Sequence, residues 1–209
     1  MARVIRLDEL DAIRSAGVNW RPVRRTLGVT GFGINAYSAE PGEQLIEEHD
    51  EVSGGAGAHE ELYVVVSGHA TFTVEGEEID APAGTLVFVP ETAARRGAVA
   101  IAPGTTALVI GGESGTITPS PWEYWFAAGA AVDAGAPARA YEIAVAGLRD
   151  HPDHPTLRYN LACYASLAGD ADRALEHLTR AVVADPRMRD WAARDADLDA
   201  IRADPRYPA

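Results

Sequence analysis

Between Trp20 and about Val109, apolar and polar residues alternate in short runs broken by glycine and proline. That period of two is the pattern of half-buried strands. It predicts strands near 23–29, 32–38, 44–49, 61–67, 69–75, 77–80, 85–89, 95–100 and 105–111. Gly76, between TFTVE and EEI, marks a tight hairpin, and Pro82 with Gly84 a turn. So many short strands at this spacing predict a sandwich or barrel. Ahead of them, residues 4–16 read as a short helix with Ile5, Leu10 and Ile13 on its packing side. Behind them, GESGTITPSP (112–121) has the Gly, Ser and Pro content of a linker. The period then turns helical and the chain alanine-rich. A 34-residue spacing relates Ala128 to Ala162, Ala131 to Ala165, Gly135 to Gly169, Ala140 to Ala174 and Pro152 to Pro186. Residues 189–207 predict one more amphipathic helix, with Trp191, Leu198 and Ile201 as its apolar side.

Composition narrows the partners. The chain has 209 residues, enough for one large or two small cores. All 18 basic residues are arginine, and the net charge is −13. Neither half is basic: residues 1–120 carry 8 Arg against 17 acids, and 121–209 carry 10 against 14. A nucleic-acid backbone is therefore excluded as a partner, since no basic surface exists to displace its counterions. One cysteine, Cys163, rules out an intramolecular disulfide. No run approaches membrane-spanning length, and the N-terminus lacks a signal-peptide core. A cytoplasmic protein is expected.

Chemistry concentrates in Pro41–Gly68, PGEQLIEEHDEVSGGAGAHEELYVVVSG. Strand alternation puts Glu47, His49 and Glu51 on one face, and His59, Glu61, Tyr63 and Val65 on another. Imidazole and carboxylate on adjacent strands, pointing the same way, are the ingredients of a divalent-metal site. No phosphate-cradling glycine loop, G-x-S-x-G, zinc-spaced cysteine pair or H-E-x-x-H occurs.

The run Glu61 to Gly68, with six residues between, resembles the second half of the first cupin motif, G-x5-H-x-H-x3-4-E-x6-G. Gly84-TLVFV-Pro90-Glu91-Thr92-Ala93-Ala94-Arg95 resembles the second, G-x5-P-x-G-x2-H-x3-N. The ligands depart from the pattern. The H-x-H is His49-Asp50-Glu51, nine residues separate it from Glu61, and Arg95 stands where the last histidine is expected. The helical half resembles a pair of tetratricopeptide repeats, 121–154 and 155–188. These resemblances imply an α+β chain of two domains: a cupin jelly-roll barrel at 1–113, a linker at 114–121, and a repeat-like helical array with a capping helix at 122–209. They also imply a homodimer, and helices that contact a partner or a second subunit.

Two readings of the site compete. In one, His49, His59 and Glu61, with Glu51 or Glu47, hold Zn, Fe, Mn or Ni. In the other the pocket is metal-free, as a cation at Arg95 favours. Arg95, turned inward, would clamp an anionic ligand or pair with Glu61, with Tyr63 lining the same pocket. Arg24 and Arg25 read as surface charges, His69, His151 and His154 as exposed, and Cys163 as a buried inert thiol. The functional expectation is a small-molecule-binding protein that carries a metal or none. Its rivals are a metal-dependent oxygenase or isomerase acting on a small organic acid, and an interaction module with a vestigial pocket.

Overall fold

The computed structural model describes residues 2–208 and divides into two compact units, Met1–Ile117 and Thr118–Ala209. The first is built of strands β1 (Ile13–Ser15), β2 (Val18–Arg21), β3 (Gly33–Ala39), β4 (Gln44–His49), β5 (His59–Ser67), β6 (His69–Val74), β7 (Glu77–Pro82), β8 (Leu86–Val89), β9 (Arg96–Ala100) and β10 (Thr105–Glu113), with a short helix α1 (Val23–Leu27). They form two antiparallel sheets, one in the order β1-β2-β3-β10-β5-β8 and one β4-β9-β6-β7. From β3 onward the pairing is nested: β3 with β10, β4 with β9, β5 with β8, β6 with β7. A long hairpin rolled on itself in this way is a jelly roll.

Alternation fills the space between the sheets. Leu45, Phe72, Ala98 and Ala100 face inward from the four-stranded sheet, and Tyr63, Val65, Val87 and Ala107 from the other. The Tyr63 and Phe72 rings meet at 5.3 Å, and the alanines around them make room for the two rings. A smaller cluster of Leu10, Val23 and Ala36 lies on the opposite face of β3.

The N-terminal segment departs from the sequence expectation. Residues 4–16 hold only a helical turn at Leu7–Glu9, and Ile13–Ser15 is a strand. Ile13 pairs with Trp20 across a two-residue turn in which Ala16 (φ 48°) and Gly17 (φ 84°) both take the left-handed conformation such hairpins demand. The expected strand at 23–29 is α1, which Pro22 opens and Gly28 closes, with the Gly28 N–H bonded to the Arg24 carbonyl.

The second unit has helices α2 (Pro121–Asp133), α3 (Pro137–Val145), α4 (Pro155–Leu167), α5 (Ala171–Ala184) and α6 (Met188–Ala192). Ser120 and Glu123 close a capping box on α2, and Asp170 caps α5. Buried Ala128, Ala140, Ala162, Ala165, Ala174 and Ala181 keep the helices close. The single helix expected over 189–207 is instead α6 followed by a helical turn at Ala196–Ile201, which Asp195 caps. Leu198 and Ile201 are buried as expected, whereas Trp191 is exposed. Among the described residues no helix is long and apolar enough to cross a membrane.

Candidate functional site

Two strands of the jelly roll and the bend after the first bring the acidic histidine stretch together. β4 carries His49 at its end, the bend after it carries Glu51, and β5 carries Glu61. His49 Nε2 lies 3.4 Å from Glu61 Oε2 and 3.5 Å from Glu51 Oε1. Ligand atoms of the three residues all fall within 4.8 Å of one another. They line a cavity of about 250 Å³ together with Glu47, Tyr37 and Tyr63.

The tautomer of His49 follows from its other nitrogen. Nδ1 is 2.7 Å from the Glu47 carbonyl, which can only accept, so Nδ1 carries the hydrogen. When the ring is neutral, Nε2 therefore presents a lone pair to two carboxylates. That arrangement is repulsive unless a positive charge lies between them. Either a proton or a metal ion can supply it. Hydrogen bonding to Glu61 raises the His49 pKa, against the lowering effect of burial. The spacing also suits a metal: donors about 2.1 Å from a tetrahedral ion stand about 3.4 Å apart. An imidazole held by a backbone carbonyl, beside two carboxylates, is a donor set for a borderline divalent ion.

Glu61 is the hub. Its carboxylate also accepts from the Tyr63 hydroxyl and lies 3.4 Å from Arg96 Nε. Burial pushes the Glu61 pKa up, but the His49 and Tyr63 hydrogen bonds and the charges of His49 and Arg96 outweigh it and hold the carboxyl below its usual range. Glu51 moves the other way, raised by burial and then by the negative charge of Glu61. Burial and the adjacent Glu61 charge raise the Tyr63 pKa, so its hydroxyl is a donor.

His59 stands one step back. Its Nδ1 is 3.6 Å from Glu51 Oε2, and the ring is half-exposed. The glycine-rich insert positions it: Gly57 lies under the ring at φ 114°, where a Cβ would come within 2.9 Å of Nε2. Glu47 contributes its carbonyl to His49, and its side chain stays exposed.

Arg95 is not in the pocket. Its guanidinium is 62% exposed and pairs with Glu48 at 2.6 Å. The residue that points inward is Arg96, 1% exposed, with Nη1 donating to the carbonyls of Thr92 and Ala94. Among the described residues, its Nε and Nη2 have no hydrogen-bond partner. The reason is register. Arg96 sits opposite His49, and Arg96, Ala98 and Ala100 form the buried face of β9, whereas Val99 is exposed. Counting along the motif lands one residue early, and the alternation Ala98, Ala100 against Val99, Ile101 is the signal that would have corrected it. His69 is only half-exposed and meets Asp80 at 2.5 Å.

No family model matches the chain, and no curated protein does. Among solved structures, similar ones include a cupin protein from Bacteroides fragilis (19% identity over 54% of this chain and 91% of that one, TM-score 0.42). Another is a cupin 2 conserved barrel domain protein from Salinispora arenicola (16%, 55% and 91%, TM-score 0.44). A third is a sugar phosphate isomerase of a cupin superfamily from Silicibacter pomeroyi (19%, 57% and 77%, TM-score 0.44). Each likeness spans about half of the chain.

Proposed function

We propose that the jelly-roll unit is a cupin that binds a small molecule, with one divalent cation (Zn, Fe, Mn or Ni) held by His49, Glu51 and Glu61. The observation that carries this reading is the placement of His49 Nε2 at 3.4 and 3.5 Å from two carboxylates, with Nδ1 held by the Glu47 carbonyl. A bound ion of this kind supplies a Lewis acid. The chain's own residues do the rest. The Glu47 carbonyl fixes the imidazole, Arg96 and Tyr63 keep Glu61 ionised and oriented, and His59 backs Glu51.

Arg96 favours a second reading. With a buried guanidinium beside Glu61, a protonated His49 completes a metal-free ion network, and the pocket binds its ligand without a cation. Metal analysis of the purified chain separates the two. The first reading expects one ion per chain, lost in His49→Ala and Glu61→Ala. A wild-type protein that holds none of the four metals after loading and desalting would overturn it. Catalysis on a small organic acid is the extension to test once an ion is found, by product analysis with and without chelator.

The helical unit is proposed as a tetratricopeptide-like pair of hairpins that contacts a partner or second subunit. Trp122, Trp125, Phe126 and Trp191 are its exposed aromatics, and surfaces of this kind mark interaction sites. A homodimer is proposed for the jelly roll, supported by exposed Leu86 and Phe88 on its edge strand β8.

A further inference from the structure

Three of the chain's four tryptophans line one cleft of the helical unit, of about 290 Å³. Trp122 and Trp125 come from the first turns of α2, and Trp191 comes from α6. Contacts between rings hold them in place. Trp122 meets Trp125 edge to face at 5.5 Å, and Trp191 meets Tyr159 in the same way at 5.8 Å. Such contacts fix the rings without covering them: Trp122 is 62% exposed, Trp191 51% and Trp125 40%. Indoles that are positioned yet left in water mark a binding surface.

The polar groups of the cleft are mostly donors. An indole N–H can only donate. His154, at the start of α4, accepts the Leu157 N–H on Nδ1 at 3.3 Å, so its hydrogen sits on Nε2. Burial, and then the neighbouring His151, lower the His154 pKa and keep the ring neutral. Thr156 and Asn160 stand one turn apart on the same face of α4, and only these two can also accept. No arginine, aspartate or glutamate lines the cleft. Its wall is aromatic, uncharged and richer in donors than in acceptors.

We infer that this cleft docks a proline-rich segment of a partner protein, its rings against Trp122, Trp125 and Trp191 and its carbonyls accepting from the donors between them. The inference rests on the reading of the helical unit as a partner-binding surface and names the partner's chemistry. Proline has no N–H, so a run of prolines offers only acceptors. In the polyproline II conformation those carbonyls have no internal partners, and the segment is stiff before it binds. Every third residue falls on one edge, which suits the three-residue step from Trp122 to Trp125. Other ligands match the wall less well. A carboxylate or phosphate finds no cation here, and an amine finds no carboxylate. A sugar brings a donor on every hydroxyl to a wall with two acceptors. A second copy of this chain does not supply the segment either. In its densest proline stretch, the Pro119 carbonyl is bound to His151 and Pro121 opens α2.

Titration of the full chain, followed by tryptophan fluorescence, tests it with end-capped deca-proline. A capped Gly-Ser decapeptide and cellohexaose serve as the flexible-chain and sugar comparisons. Deca-proline is expected to bind at least about tenfold more tightly than either, and equally well when the salt is raised, because no charge lines the cleft. Trp122→Ala should weaken it about tenfold or more, and Asn160→Leu about three- to tenfold, the worth of one neutral hydrogen bond. Circular dichroism melting checks that each variant folds, and Trp191→Ala, on a different helix, repeats the test should Trp122→Ala misfold. No binding of deca-proline at millimolar concentration, binding indifferent to both tryptophan variants, or tighter cellohexaose would overturn the proposal. Sedimentation of the same samples keeps the two readings apart. A chain blind to deca-proline that self-associates through Trp122 sinks the proline assignment and leaves a subunit contact. A chain blind to all three ligands and monomeric at every concentration sinks both.

Discussion

Arg96 Nε lies 3.4 Å from Glu61 Oε2, with the guanidinium almost wholly out of water. A buried pair of this kind contributes little over an apolar pair, yet breaking it strands a charge. Arg96→Met in chelator-treated protein is expected to cost about 3–5 kcal/mol, and adding Glu61→Gln to recover part of that. Urea unfolding of the two variants, and of Glu61→Gln alone, measures both. A loss in the double variant equal to the sum of the losses in Arg96→Met and Glu61→Gln alone would show that the pair is not coupled.

Arg95→Ala is the contrasting case. Its bridge to Glu48 is exposed at both ends, so removing it should change stability by less than about 1 kcal/mol and leave metal content untouched. The same unfolding experiment and metal analysis read the result. A lost metal would mean that Arg95, and not Arg96, supports the cluster.

His59→Ala separates a supporting role from a ligand. Positioned behind Glu51, His59 is expected to weaken metal affinity about ten- to a hundredfold when removed, with the ion still bound at saturation. His49→Ala should abolish binding. Competition with a chromogenic chelator gives both affinities.

His177 makes stability depend on pH in the helical unit. It is buried, its Nε2 meets the Tyr141 hydroxyl at 2.9 Å and its Nδ1 faces Arg158 at 3.5 Å. Burial first, and Arg158 second, lower its pKa, so it stays neutral in the folded chain. The unfolded chain takes up the proton below about pH 6.5, and stability therefore falls as pH drops through that value. His177→Gln should show a smaller fall in melting temperature between pH 7.5 and 5.5 than the wild type. An identical fall would exclude His177 as the source.

Cys163 is buried, and burial followed by the charges of Asp195 and Asp197 pushes its thiol up. A thiol held protonated is a poor nucleophile. Ellman's reagent should label it only in denaturant, and rapid labelling of the native chain would contradict the packing of α4.

The strands that alternate cleanly were legible from residue pattern, and β4, with His49 at its end, was read residue for residue. Three features were not. Ala16 carries no turn signature, so the β1–β2 hairpin was hidden inside a run with helical spacing. Val23–Leu27 has a β-branched start, and only Pro22 and Gly28 at its ends give the helix away. In the site, alternation alone joined His49 to Glu51 and set Glu61 beside Tyr63. The inward arginine was missed because motif counting ignores the turn between Pro90 and β9, whereas burial follows the pleat.

The nested pairing of the strands has a kinetic side. β6 and β7 are neighbours in sequence and can zip at once, but β3 meets β10 only after nearly the whole unit has been made. Such long-range closure is slow. The imidazole and two carboxylates come from β4, the bend after it and β5, and the arginine beside Glu61 comes later, from β9. A nascent chain therefore carries these carboxylates before the buried guanidinium that packs against Glu61 has been made.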